Sequence, residues 1–127
     1  MKRIGFITTN KMLAQSLAAA TKNWPQLEFE PFLLLDPGQA ILDAVVLKID
    51  IAVVDVIDGT AKETETTLSF CKKLKEAVAD CRLLLLVSQD DEVGRNMAIG
   101  AIKSNLVDDF VFYDTSLAYL FAKFSAF

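Results

Sequence analysis

Ile51-Ala-Val-Val-Asp55 sets four apolar residues directly before one carboxylate. A strand covered on both faces reads as a continuous apolar run, and ligands of open α/β sheets sit just beyond the carboxyl ends of the strands. The stretch is therefore expected to be a buried parallel strand, within residues 49–57, whose end opens into a site. Asp55 is the first residue to consider for function, its plainer reading being a strand-end acid bonded to the backbone of the next loop. Asp58-Gly59-Thr60 then carries ordinary loop chemistry.

Outward from this strand the chain alternates. Residues 4–7 form a short apolar run ending in Thr8-Thr9-Asn10, and Met12, Leu13, Leu17 and Ala20 then recur at helical spacing up to Trp24-Pro25. Residues 27–35 read as a second strand, and Pro31 inside it argues for an edge or irregular position, because proline donates nothing to a ladder. Asp36 is the expected N-cap of a helix with Pro37 at its first position, and Ile41, Leu42, Val45 and Val46 are its expected buried stripe. Residues 65–79 predict a helix buried through Leu68, Cys71, Leu74 and Val78. Residues 83–87 predict a central strand, and Asp90-Asp91 then read as acids at a helix start.

Residues 93–104 predict a helix closed by Asn105 in the left-handed conformation. Residues 110–113 predict a fifth strand, and Asp114-Thr115-Ser116 caps a last helix marked by Leu117, Leu120, Phe121 and Phe124. Strands alternating with helices imply right-handed crossovers and a parallel sheet covered on both sides, a three-layer α/β/α sandwich. The crevice at its carboxyl edge should then collect Thr8, Thr9, Asp55, Ser88, Tyr113 and Asp114.

Composition sets the bounds. The 127 residues fit a single domain spanning 1–127. Although 53% of them are hydrophobic, no run approaches the roughly 20 residues that cross a bilayer, and the N-terminus is too short in apolar residues for a signal peptide. A soluble, cytoplasmic protein without membrane contact is expected. The chain has no histidine, which removes the commonest general base and metal ligand, and with it Ser-His and Cys-His nucleophile chemistry. Cys71 and Cys81 have no metal or redox spacing. A net charge of −4 argues against direct nucleic-acid binding by this domain.

With these units in order, the chain resembles the receiver domain of two-component response regulators over essentially its whole length. The resemblance rests on Asp50-Ile-Ala-Val-Val-Asp55, Leu86-Val87-Ser88 and Asp108-Asp109-Phe110-Val111. It implies a flavodoxin-like five-stranded parallel sheet in the order 2-1-3-4-5, with Asp55 as phosphoacceptor and Ser88 and Phe110 as the switch pair. A histidine kinase or another signalling protein is the implied partner.

Four positions depart from the pattern, one of them Asp114, which stands where the family carries a proline. Thr8-Thr9 stands where the family carries the acidic pair that helps hold Mg²⁺, and Tyr113 where it carries a lysine. Phosphoryl transfer to a carboxylate needs cations against the charge on the phosphoryl oxygens, and Mg²⁺ prefers carboxylates among its ligands. Asp55 alone should hold Mg²⁺ weakly or not at all, and a tyrosine hydroxyl replaces a hydrogen bond but no charge. Asp58 and Asp114 are the acids that could compensate. The chain is thus read as a divergent, pseudo-receiver-like domain with no turnover chemistry of its own.

Aromatic residues crowd the end of the chain, and Phe112, Tyr119 and Phe127 exceed what one packed helix face needs. They are candidates for an interface, including a homodimer. Two other readings stay open: a phosphorylation-independent interaction domain with Asp55 inert, and a sensor of small anions or nucleotides at the helix start after Thr8-Thr9-Asn10, the latter disfavoured because no glycine-rich loop follows the first strand.

Overall fold

The computed structural model describes residues 1–24, 28–56 and 61–127, of which 61–64 by their backbone alone. The strands are β1 (Lys2–Ile7), β2 (Phe29–Leu34), β3 (Ile51–Asp55), β4 (Arg82–Val87) and β5 (Asp109–Phe112). The helices are α1 (Lys11–Asn23), α2 (Pro37–Leu47), α3 (Ala61–Ala77), α4 (Glu92–Lys103) and α5 (Leu117–Ala126). All strand pairs are parallel, in the order β2-β1-β3-β4-β5. This is the three-layer sandwich expected from the alternation. β3, flanked by β1 and β4, is buried from Ile51 to Val54, so its apolar run is that of a central strand. β2 pairs with β1 alone, so Pro31 lies on an edge strand.

Local chemistry sets the helix starts. Side-chain oxygens of Asn10, Asp36, Asp91 and Ser116 accept the backbone N–H of Leu13, Gly38, Gly94 and Tyr119 at 3.0, 3.0, 2.9 and 3.1 Å. Asn105 is left-handed at φ 61°, as expected for the close of α4. Lys48 is left-handed too, at φ 54°, which nothing in the sequence announces. Its N–H bonds back to α2, and Ile49 N–H reaches the Ala44 carbonyl at 3.0 Å, so the end of the helix is satisfied despite the strained residue.

Two cores lie on opposite sides of the sheet. Beneath α1 and α5, Ile4, Phe6, Ile51, Val53, Leu84 and Leu86 meet Ala14, Leu120, Phe121 and Phe124. Rings interlock there: Trp24 meets Phe121 edge-on at 4.9 Å between centroids, and Phe124 contacts Phe6 at 6.4 Å and Phe29 at 6.1 Å. Beneath α2, α3 and α4 the helices contribute Ala40, Ala44, Cys71, Leu74, Met97, Ala98 and Ala101.

The expected helix stripes need correction at three places, one of them α5, where Leu117 is 42% exposed and only Leu120, Phe121 and Phe124 are buried. On α2 the buried residues are Ala40 and Ala44, whereas Leu42, Val45 and Val46 are 56%, 45% and 68% exposed. Nearly every position of this helix is apolar, so its hydrophobic pattern selects no face, and the small alanines permit the closer approach to the sheet. On α1, Met12 is exposed, and Ala14 and Thr21 are the buried residues. α3 begins earlier than the expected residue 65, because its first turns, Ala61-Lys-Glu-Thr-Glu65, carry no apolar period to read. Cys71 and Cys81 are buried free thiols, as expected.

Candidate functional site

β1 and β3 are register neighbours through Ile7 and Val54, so the next residues, Thr8 and Asp55, reach the carboxyl edge of the sheet together. Thr8 is buried, and its N–H donates to the Leu34 carbonyl at 3.3 Å. Its Oγ1 accepts the Asn10 N–H at 3.0 Å and donates to Asp55 Oδ2 at 2.6 Å. One hydroxyl therefore ties the carboxylate of the central strand to the turn that starts α1. At 2.6 Å the bond lies at the short end of the range for two oxygens.

A cavity of about 110 Å³ opens beside this pair. Thr8, Thr9, Thr66, Thr67 and Asp55 surround it, over Ile7, Val54 and Phe70. Among the described residues of its lining Asp55 is the one ionisable group, so the cavity offers hydroxyls and a negative charge but no cation for an anionic ligand. Thr66 and Thr67 were not foreseen. The only signal for them was the polar start of α3, which carries no period to place them.

The remaining candidates lie elsewhere around the edge. Ser88, partly buried, is two residues beyond Leu86, the register partner of Asp55, and its carbonyl accepts the Asp91 N–H at 3.1 Å in the turn into α4. Phe110 is partly buried in the core under α2, α3 and α4, edge-on to Phe112 at 5.5 Å. Tyr113 is 41% exposed, and its N–H donates to the Val87 carbonyl at 3.1 Å. Asp114 is exposed in the loop before α5. Ser88, Tyr113 and Asp114 are thus outside the lining of this cavity, which takes in Thr8, Thr9 and Asp55 of the six residues expected at the edge. Asp58 lies outside the described residues.

Among the interface candidates, Phe112 and Phe127 are partly buried against the two cores, whereas Tyr119 is 49% exposed, with Lys123 Nζ 5.2 Å from its ring centroid. The Asp109 carboxylate accepts a hydrogen bond from Lys123 and holds that lysine charged to higher pH than usual. Burial pushes the Cys71 thiol up to about 12 and the Cys81 thiol to about 11, which leaves both protonated and unreactive near neutral pH.

The donor set does not fit Mg²⁺. That ion takes octahedral oxygen ligands with carboxylates preferred, and among the described residues of the cavity lining the one carboxylate is Asp55, whose Oδ2 is already bonded by Thr8. No group of three acidic, cysteine or histidine residues able to hold a metal occurs among the described residues.

The sequence matches no family profile and no curated protein. Solved structures do match. A two-component response regulator from Clostridium difficile superposes with a TM-score of 0.75 at 21% identity, over 99% of this chain and 94% of that one. The chain has the receiver fold. Response regulator protein TrrA from Thermotoga maritima, solved in complex with Mg(2+)-BeF, gives a TM-score of 0.74 at 14% identity, over 99% and 98% of the two chains. An adenylate cyclase structure from Rhodopirellula baltica gives 0.77 at 17% identity, over 98% of this chain and 85% of that one. The receiver fold is thus shared with a chain bearing an enzyme's name, and fold by itself assigns no chemistry. No helix among the described residues is long and apolar enough to cross a membrane.

Proposed function

We propose that this chain is a receiver-like signalling domain that relays state through protein–protein contact, with Asp55 held as a structural acid rather than used as an efficient phosphoacceptor. The observation that carries this reading is the 2.6 Å bond from Thr8 Oγ1 to Asp55 Oδ2. In the family resemblance the strand-one position carries an acid that helps bind Mg²⁺, whereas here a hydroxyl donates to the acceptor carboxylate itself. A donor in that place stabilises the carboxylate and occupies an oxygen that a metal or phosphoryl group would need. Tyr113, exposed at the position of the family lysine, brings no positive charge to offset a phosphoryl group. The partner is another signalling protein, a histidine kinase included, that reads the surface of the domain.

The test is incubation with Mg²⁺ and acetyl phosphate followed by intact mass spectrometry, with Asp55→Asn as control. Wild type is expected to show no phosphoryl adduct under conditions in which the triple variant Thr8→Asp, Thr9→Asp, Tyr113→Lys gains one. A stoichiometric adduct on wild type that is absent from Asp55→Asn overturns the reading and makes the domain a working phosphoacceptor.

A further inference from the structure

Helix α4 carries two glycines, and only one of them has a reason inside the chain. A Cβ on Gly94 would lie 2.1 Å from a carboxylate oxygen of Asp91, the N-cap whose side chain bonds the Gly94 N–H, so glycine is what lets the cap fold over the helix start. A Cβ on Gly100 would meet nothing within 4 Å among the described residues. Glycine inside a helix is disfavoured against alanine because it has more backbone freedom to lose, and no contact among the described residues offsets that here.

Gly100 lines a groove of about 470 Å³ between α3 and α4. Leu68, Val93, Met97, Ala101 and Leu106 give it an apolar lining, and Lys72 is the one charged residue among the described residues that line it. The ion pairs among the described residues are Arg3–Glu30, Arg82–Asp108 and Lys123–Asp109, so Lys72 and the neighbouring Lys73 and Lys103 are in none of them. Glu76 and Glu92 belong to the same two helices but are outside the lining. A protein of net charge −4 thus lines this groove, among its described residues, with one basic side chain and no acidic one.

We propose that the α3–α4 groove docks an amphipathic helix of a partner protein, its apolar ridge passing over Gly100 and an acidic side chain on its flank meeting Lys72. Helix backbones satisfy their own hydrogen bonds, so two helix walls offer an incoming segment no ladder to join, and recognition falls to side-chain ridges laid into a groove. A missing Cβ lets a second helix come closer than any other residue would allow. This proposal deepens the contact reading above by naming the surface and its partner's chemistry, and it does not depend on the phosphorylation of Asp55.

The test is fluorescence anisotropy with a labelled synthetic helix of about 15 residues, long enough to be helical, with leucines at i, i+3, i+4 and i+7 flanked by glutamates. Saturable binding is expected, weakened roughly tenfold or more by Gly100→Leu, by Lys72→Glu and by exchanging the peptide's glutamates for lysines. Gly100→Ala, checked by thermal melting, should fold at least as stably as wild type, which separates a filled groove from a damaged fold. Val46→Lys on α2 should leave the affinity unchanged. The proposal is overturned if the peptide fails to saturate at millimolar concentration, if Gly100→Leu binds it equally well, or if sedimentation shows instead that two copies of this chain associate through the groove and separate in Gly100→Leu. None of these results bears on the mass spectrum that tests Asp55.

Discussion

The two faces of the sheet are built by different means. Under α1 and α5 the interior is filled by large rings, with Phe6, Phe121 and Phe124 each no more than 2% exposed. Under α2, α3 and α4 the buried helix residues are mostly small, Ala40, Ala44, Cys71, Ala98 and Ala101 beside Leu74 and Met97, and cavities open beside Asp55, between the carboxyl ends of α2 and α3, and between α3 and α4. Large interlocked side chains bury the most apolar area and leave little room for anything else, whereas small residues bring helices close but leave gaps between them. The aromatic face stabilises the domain, and the small-residue face leaves room for contact with other molecules.

The largest test of this contrast is Phe124→Ala, which should cost about 3–5 kcal/mol in chemical denaturation, because it removes a fully buried ring shared by several aromatic neighbours. If Met97→Ala on the opposite face cost as much, the division of labour would fail. Alkaline pH probes the small-residue face. The Cys71 thiol is raised from 9.0 to about 12 by burial, so the folded state holds a proton that the unfolded chain releases earlier. Its contribution is therefore complete below pH 9 and is lost as pH rises towards 12, on the order of a few kcal/mol across that window. Cys71→Ala should flatten this alkaline loss in denaturation curves taken from pH 8 upward; an unchanged slope would show that the thiol does not contribute. The smallest effect belongs to α2, where Val46→Lys should change stability by less than about 0.5 kcal/mol, since the side chain is 68% exposed. A large loss there would mean that the face is covered in solution.

The legibility of the chain follows the same contrast. Strands were readable because a buried parallel strand has one composition, an unbroken apolar run, and Ile51 to Val54 and Leu83 to Val87 show it. α5 was readable because Leu120, Phe121 and Phe124 recur at helical spacing. α2 was not, because in Pro37-Gly-Gln-Ala-Ile-Leu-Asp-Ala-Val-Val-Leu47 almost every position is apolar and the choice of buried face falls to the fit of Ala40 and Ala44 on the sheet. At the site, Asp55, Thr8 and Thr9 were legible as strand-end residues, whereas Thr66 and Thr67 come from a helix whose polar first turns give no period.

The sequence by itself determined the alternation of strands and helices, the exclusion of histidine chemistry, and the position of an acid at the end of the central strand, since all three are properties of residue type and local order. The tertiary structure alone decided which groups meet. Thr8 and Asp55 are far apart along the chain, and only the parallel pairing of β1 with β3 brings a hydroxyl to 2.6 Å from the carboxylate. The open side of Gly100 is likewise a matter of how α3 and α4 lie beside each other, because the space around a residue depends on packed neighbours that its own sequence does not specify.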